Sequence, residues 1–464
     1  MLHWVSNNKT LLYLSIYKGK HQLSTLTIPF PTSSFTMASS FLTIHFFFLL
    51  VSFSSLSCLS TSQPPNTKPH PFILPIKKDP STNLFYTSVG IGTPRKNFNL
   101  VIDLAGENLW YDCDTHYNSS SYIPIECGSK KCPDITCIGC NGPFKPGCTN
   151  DTCPANTINS FAKFIFNGGL GEDIIFVDQQ KVFGLLSTCI DIDGFPSFTG
   201  DDSPLNGLPK NTKGIIGLAR SKYSLPTQLA LKNKLPPKFS LCLPSSNKQG
   251  FTNLLVGYGG DPLKELSKFV QTTPLIVNPI STGAVFIQGV PSNEYFIDVK
   301  AIKIDGNVLN LKPSLLSIDK KGNGGTKIST MSPFTKLQNS VYKPFIRDFL
   351  KKVSDRKLKR VESVAPFEAC FDSTSIENSA PRIDLLLQVG VQWTIHETNI
   401  MVNVKKNVAC LVFVDGGTAP RWSSAKASIV IAGHQLVDNL LVFDEASSKL
   451  SFSSSLLVHN ASCS

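Results

Sequence analysis

Apolar and polar positions alternate in short runs along most of the chain, and few stretches keep the 3.6-residue period of a long amphipathic helix. Residues 84–92 (LFYTSVGIG) alternate and then meet a Thr93-Pro94 turn, and residues 98–104 (FNLVIDL) form an apolar run of strand length. Further on come an apolar strand ending at 214–219 (GIIGLA), a short helix over 225–231, and strands at 239–242 and 254–257. A second set opens with strands over 295–304, where Asp305-Gly306-Asn307 reads as a hairpin turn. It closes with strands at 428–433 (SIVIAG), 439–444 (NLLVFD) and 449–452 (KLSF). Tyr342, Phe345, Ile346, Phe349 and Leu350 keep helical spacing, which predicts an amphipathic helix whose solvated end is the basic stretch 351–360. The two halves share a plan: a strand running into a special loop, and later an apolar strand ending in Gly. We therefore expect a mostly β protein in two lobes, 81–277 and 291–464, with 277–291 as the connection.

The beginning of the chain reads as a targeting segment. Residues 41–56 (FLTIHFFFLLVSFSSL) are apolar but short and broken by Ser, as in a secretory h-region, and small residues follow. Met37 places that run just behind a start, so residues 1–36 read as an upstream extension, 37–60 as a signal peptide and 61–80 as an extended, Pro-rich leader. The alternative is an uncleaved anchor.

Cysteine usage fits export. Cys58 falls in the cleavage region, and cleavage after Ser60 leaves twelve: Cys113, Cys127, Cys132, Cys137, Cys140, Cys148, Cys153, Cys189, Cys242, Cys370, Cys410 and Cys463, an even set suited to disulfides. Seven of them crowd residues 113–153, an insertion rich in Gly, Pro and Asn. A zinc knuckle on Cys132, Cys137 and Cys140 is the alternative there; no histidine lies close by, and we expect neither metal nor cofactor. Asn118, Asn150 and Asn460 sit in Asn-x-Ser/Thr sequons and are candidate glycan sites.

The formal net charge is +11, falling to +8 once residues 1–60, with Lys9, Lys18 and Lys20 and no acid, are removed. The basic residues form no stripe suited to nucleic acid, and a mature chain of this kind needs no membrane. A basic extracellular surface suits acidic wall polymers or an acidic protein.

Residues 84 to 463 resemble the pepsin-like aspartic protease family in its plant form. The resemblance rests on 86–94 (YTSVGIGTP), on 100–110 around Asp103, on 214–229 (GIIGLARSKYSLPTQL) and on 428–452. Segments 324–330 (GGTKIST), 366–371 (PFEACF) and 414–417 (VDGG) are most similar to the group of extracellular dermal glycoprotein, basic 7S globulin, and xylanase or xyloglucanase inhibitor proteins. This resemblance implies a bilobal pepsin-like fold with a disulfide-rich insertion in the first lobe. It also implies a Cys370–Cys410 bridge.

Aspartic proteolysis needs two carboxylates one water apart that share a proton, one supplied by each lobe on an Asp-Thr/Ser-Gly-Ser/Thr loop. The first lobe reads Asp103-Leu104-Ala105-Gly106: the acid is kept, and the hydroxyl that locks the loops is lost at Leu104. The second reads Ser329-Thr330-Met331-Ser332, with Ser329 where the acid belongs. A hydroxyl cannot share that proton, so no catalytic pair is expected. Asp319 and Glu107 lack the strand-to-loop setting that would aim them at Asp103. The hairpin that covers the cleft in active relatives corresponds to 156–173, which has no Tyr, and its Gly168-Gly169-Leu170-Gly171 reads as a turn.

The resemblance then implies a binding function, as an inhibitor of microbial wall glycoside hydrolases, an endoglucanase or a xylanase, acting in the apoplast. Arg421, after Pro420 in an exposed loop with two glycines, matches an Arg of the xyloglucanase-inhibiting relatives. Beside it, Trp422 offers an aromatic anchor. The xylanase-inhibiting relatives use a His there, and residues 402–426 hold none; His434 reads as structural. A storage or peptide-binding protein and a residual endopeptidase are the alternatives.

Overall fold

A computed structural model describes residues 70–464 apart from 114–116, 133–136, 138–144, 147–150, 163, 193–202, 247–252, 259–263, 284–288, 378, 419–424 and 464. Strands dominate, and they build a bilobal pepsin-like fold. Among the described residues, nine strands of the first half form one sheet. Its spine is Phe85–Ile91, Lys96–Asp103, Gly214–Gly217, Leu109–Asp112, Gln180–Ile190 and Phe164–Val177, in that spatial order. Two four-stranded sheets flank the second half, one holding Ala301–Ile304 and Ile383–Leu386, the other Cys370–Asp372 and Val408–Leu411.

An eleven-stranded sheet joins the halves. Lys238–Cys242 pairs antiparallel with Leu440–Asp444, and Asn253–Val256 pairs on its other side. Phe72–Pro75 forms the edge against Asn253–Val256, burying Phe72 and Leu74, so the end of the Pro-rich leader is itself a strand. The apolar faces close over a core that includes Phe239, Phe443, Tyr295 and Phe452. Phe239 and Phe443 stack at 4.8 Å.

The amphipathic helix runs over Asn339–Asp355 and turns Val341, Tyr342, Phe345, Ile346 and Phe349 inward. The expected short helix extends to Leu225–Asn233. One expectation fails. Gly168 to Gly171 lie inside the long strand Phe164–Val177 and make no turn. Glycine is needed because neighbours pack onto the strand: a Cβ on Gly168 would sit 2.4 Å from Thr188 Cγ2, and one on Gly171 would sit 2.3 Å from the Tyr122 ring.

Disulfides join Cys113–Cys189, Cys127–Cys137, Cys132–Cys153, Cys242–Cys463 and Cys370–Cys410, the last as the resemblance implied. Cys132 and Cys137 thus sit in separate bridges, which removes the zinc alternative; Cys140 and Cys148 lie outside the described residues. So do the apolar run 41–56, Cys58 and Asn150, while Asn118 and Asn460 are exposed. Among the described residues no helix is long and apolar enough to cross a membrane.

Candidate functional site

Each half places one loop at the centre by the same construction. Lys96–Asp103 runs parallel to Gly214–Gly217, with Asp103 opposite Gly217, and Leu109–Asp112 borders Gly214–Gly217 antiparallel. Thr326–Ile328, Ile429–Ile431 and Thr335–Leu337 repeat that arrangement in the second half. Buried parallel strands need apolar residues on both faces, which explains the runs LVI at 100–102 and IVI at 429–431. In the first loop Asp103 Oδ1 accepts the Ala105 N–H at 2.8 Å; in the second, Ser329 Oγ accepts the Met331 N–H at 3.2 Å. Asp103 and Ser329 therefore hold the same position in their loops, each tied to the backbone two residues on.

The two loops are bonded to one another through Thr330. Its Oγ1 donates to the Ile102 carbonyl at 2.6 Å and accepts the Leu104 N–H at 3.1 Å. Leu104 carries no hydroxyl to return the contact, so the brace is one-sided. Gly106 allows the close approach beneath it: a Cβ there would lie 2.9 Å from Gly217 Cα.

Asp103 is 1 % exposed. Burial pushes its pKa up to about 6, against the pull of the Ala105 N–H and the positive field of Lys327; the negative field of Glu294 adds to the rise. Ser160 Oγ, at the tip of the hairpin formed by Pro154–Asn159 and Phe164–Val177, donates to Asp103 Oδ2 at 3.4 Å. That hairpin is tied down by Asn159, which is fully buried. Its Nδ2 donates to the carbonyls of Pro204 and Asn206 at 2.9 and 2.8 Å, and its Oδ1 accepts the N–H groups of Phe161 and Ala162. The cover is therefore bonded in place over the carboxylate.

Sequence reasoning missed the charged pair beside this site. Glu294 is 3 % exposed and meets Lys327 Nζ at 2.6 Å. It also accepts Ser292 Oγ at 2.7 Å, the Thr282 N–H at 2.7 Å and Thr282 Oγ1 at 2.8 Å. Burial alone would raise its pKa, but Lys327 and these donors hold it at about 2. A carboxylate so saturated keeps no proton to share with Asp103. The missed signal was Lys327 itself, a lysine in the middle of a short buried strand, which demands a buried partner.

Asp319 instead folds back on its own turn, accepting the Lys321 and Asn323 N–H groups at 2.8 Å. Glu107 is exposed and accepts Asn293 Nδ2 at 3.0 Å. His434 is bonded to the Met401 carbonyl at 3.0 Å. Arg421 and Trp422 lie outside the described residues, but the stem of their loop does not. Asp415 accepts the Gly417 N–H and Asn339 Nδ2, each at 2.8 Å, and Lys426 Nζ donates to the Gly416 carbonyl at 2.6 Å and to that of Thr418 at 3.2 Å.

Two lobes, each giving one loop to a shared centre, define a pepsin-like aspartic proteinase fold. The chain belongs to the xylanase inhibitor family: the profile "Xylanase inhibitor N-terminal" matches residues 85–257, and "Xylanase inhibitor C-terminal" matches 294–454. It is 40% identical over 430 residues to "Probable aspartic proteinase GIP2" of Nicotiana benthamiana, covering 89% of this chain and 96% of that one. It is 32% identical to "Basic 7S globulin" of Glycine max, covering 90% of this chain and 97% of the relative. The crystal structure of edgp superimposes with a TM-score of 0.77 at 38% identity, over 86% of this chain and 98% of that one.

Proposed function

We propose that this protein is a secreted, proteolytically inactive member of its family that inhibits microbial wall glycoside hydrolases in plant defence. The observation that carries the reading is the centre itself: one buried carboxylate, Asp103, with the Ser329 hydroxyl in the equivalent place. Ser329 stands for the second catalytic Asp, and a serine hydroxyl titrates far above any working pH, so no proton-sharing pair forms. The fixed hairpin over Asp103 adds to this, because a polypeptide cannot reach a carboxylate that is 1 % exposed.

The family profiles support a hydrolase as partner. Arg421 is the residue we assign to the encounter. A guanidinium pairs in a bidentate way with carboxylates, which such hydrolases present in an open cleft. The bonded stem formed by Asp415, Gly417 and Lys426 mounts that loop on the second lobe. With no histidine in 402–426, a xyloglucan-type endoglucanase fits better than a xylanase.

The test is to incubate purified protein with a panel of microbial endoglucanases and xylanases, with an acid-pH casein digest alongside. Inhibition that disappears in Arg421→Ala is expected. A protein that inhibits nothing would belong to the storage or peptide-binding alternative. Pepstatin-sensitive casein cleavage would overturn the inactive reading.

A further inference from the structure

The outward face of the first-half sheet carries a row of cations and aromatic rings. We propose that this row binds an anionic polysaccharide whose sugars carry carboxylates, a polyuronate. This goes beyond the inhibitory reading and does not depend on Arg421.

The row follows from the register. Gly90 pairs with Asn97 on one side and with Phe176 on the other, and Phe176 pairs with Lys181. Directly paired residues point to the same face, and so do Lys181 and Phe183, two apart on one strand. The opposite face sends Ile91, Ile175, Val177 and Val182 into the core. Gly90 has no side chain, and Arg95 lies across that space: a Cβ on Gly90 would sit 2.2 Å from Arg95 Nε. That Nε donates to Asn97 Oδ1 at 3.0 Å, and the guanidinium carbon rests 5.0 Å from the centre of the Phe176 ring. Lys181 Nζ lies 5.9 Å from the same ring and 4.8 Å from the ring of Phe183.

Two cations thus converge on one ring, and no carboxylate is paired to either. Among the described residues Arg95 and Lys181 make no ion pair, and the terminal nitrogens of Arg95 have no acceptor. The acids of the same hairpin are spent elsewhere or stand apart. Glu172 pairs with Lys131, and Asp173 is buried and accepts from Tyr117, Ser119 and Ser121. Asp178, in the turn, makes no ion pair with either cation.

A ligand has to supply the missing anions and something more. Phe183 is 62 % exposed, so a small inorganic anion would leave it bare, and a neutral sugar would leave both charges unmet. An extended peptide is held through a free strand edge, whereas Phe176 is paired on both sides. A uronate ring joins a carboxylate, which a fixed guanidinium grips by two parallel bonds, to a C–H face that lies flat on an aromatic ring. Repetition along the polymer offers each cation a carboxylate at the same time.

The experiment measures binding of the purified protein to polygalacturonate by isothermal titration calorimetry. Fully methyl-esterified polygalacturonate, polyglutamate and inorganic phosphate serve as further probes. Polygalacturonate is expected to bind saturably, and the other three about tenfold more weakly or worse. Arg95→Gln combined with Lys181→Gln is expected to weaken binding about tenfold, and Phe183→Ser about threefold. All three side chains are exposed, so melting temperatures should not move. Because the chain is basic overall, a control removes two cations from the helix Asn339–Asp355, Lys343→Gln with Lys351→Gln, and is expected to bind like the wild type. No binding of polygalacturonate overturns the proposal. So does an equal loss in the control, which would mean diffuse attraction to a basic protein, or an unchanged affinity in either the Arg95 and Lys181 double variant or Phe183→Ser. Polyglutamate binding as tightly as polygalacturonate also overturns it and would make the row a site for an acidic protein.

Discussion

Among the described residues, Thr330 carries the side-chain bonds between the two central loops, and Thr330→Val removes its oxygen while keeping its shape. Thr330 and Leu104 are both fully buried, so water cannot replace the lost contacts. The Leu104 N–H is left without an acceptor, at about 1–3 kcal/mol, and the lost bond to the Ile102 carbonyl adds about 1 kcal/mol. We expect a loss near 3 kcal/mol in urea unfolding with the disulfides intact, seen as a lower midpoint at unchanged slope. Thr330→Ser keeps the hydroxyl and loses only a methyl, and is expected to retain most of the stability. A Thr330→Val loss below about 1 kcal/mol, or a Thr330→Ser variant equally damaged, would show that the brace contributes little.

Other perturbations read other parts of the site. Asp103 has its pKa raised by burial from 3.8 to about 6, so the folded state holds a proton that the unfolded state releases, and stability falls as pH rises through that window. Relative to Asp103→Asn, the wild type is expected to lose about 2 kcal/mol between pH 4 and pH 7; a difference between the two that stays flat with pH would refute this. Lys327→Met strands the Glu294 carboxylate in the interior and is expected to destabilise by about 3–5 kcal/mol, where a melting temperature equal to wild type would contradict the pairing. Asn159→Ala removes the acceptor of the Phe161 and Ala162 N–H groups, so their hydrogen exchange should speed up markedly while that of the Lys96–Asp103 strand stays slow. Unchanged exchange at the hairpin tip would mean that Asn159 does not hold it.

The strands Lys96–Asp103 and Ile429–Ile431 were legible because buried parallel strands leave continuous apolar runs, and Asp103 because a polar residue ending such a run is conspicuous. Thr326–Ile328, with Lys327 at its middle, leaves no such run, and Ser329 was reached through the family resemblance. The helix at Asn339–Asp355 was legible from its period. What could not be read depends on partners distant in sequence. Asn159 looks like any loop asparagine until the loop at 204–206 is placed against it. Gly168 and Gly171 look like a turn until Thr188 and Tyr122 are seen to occupy the space their side chains would need. Glu294 owes its depressed pKa to Lys327, 33 residues away, and to Ser292 and Thr282 nearby. Phe72–Pro75 joins a sheet whose other members come from residues 238 onward, so composition alone marked it as leader.

Lys238–Cys242 finds its sheet partner in Leu440–Asp444, roughly 200 residues later, and the same strand end is bridged to Cys463. While the chain is being made, the first half therefore waits with an open, apolar β edge until Leu440–Asp444 emerges. Truncation before Leu440 would remove the strand that closes this seam, and a chaperone guarding that edge would have to stay until Leu440–Asp444 is made.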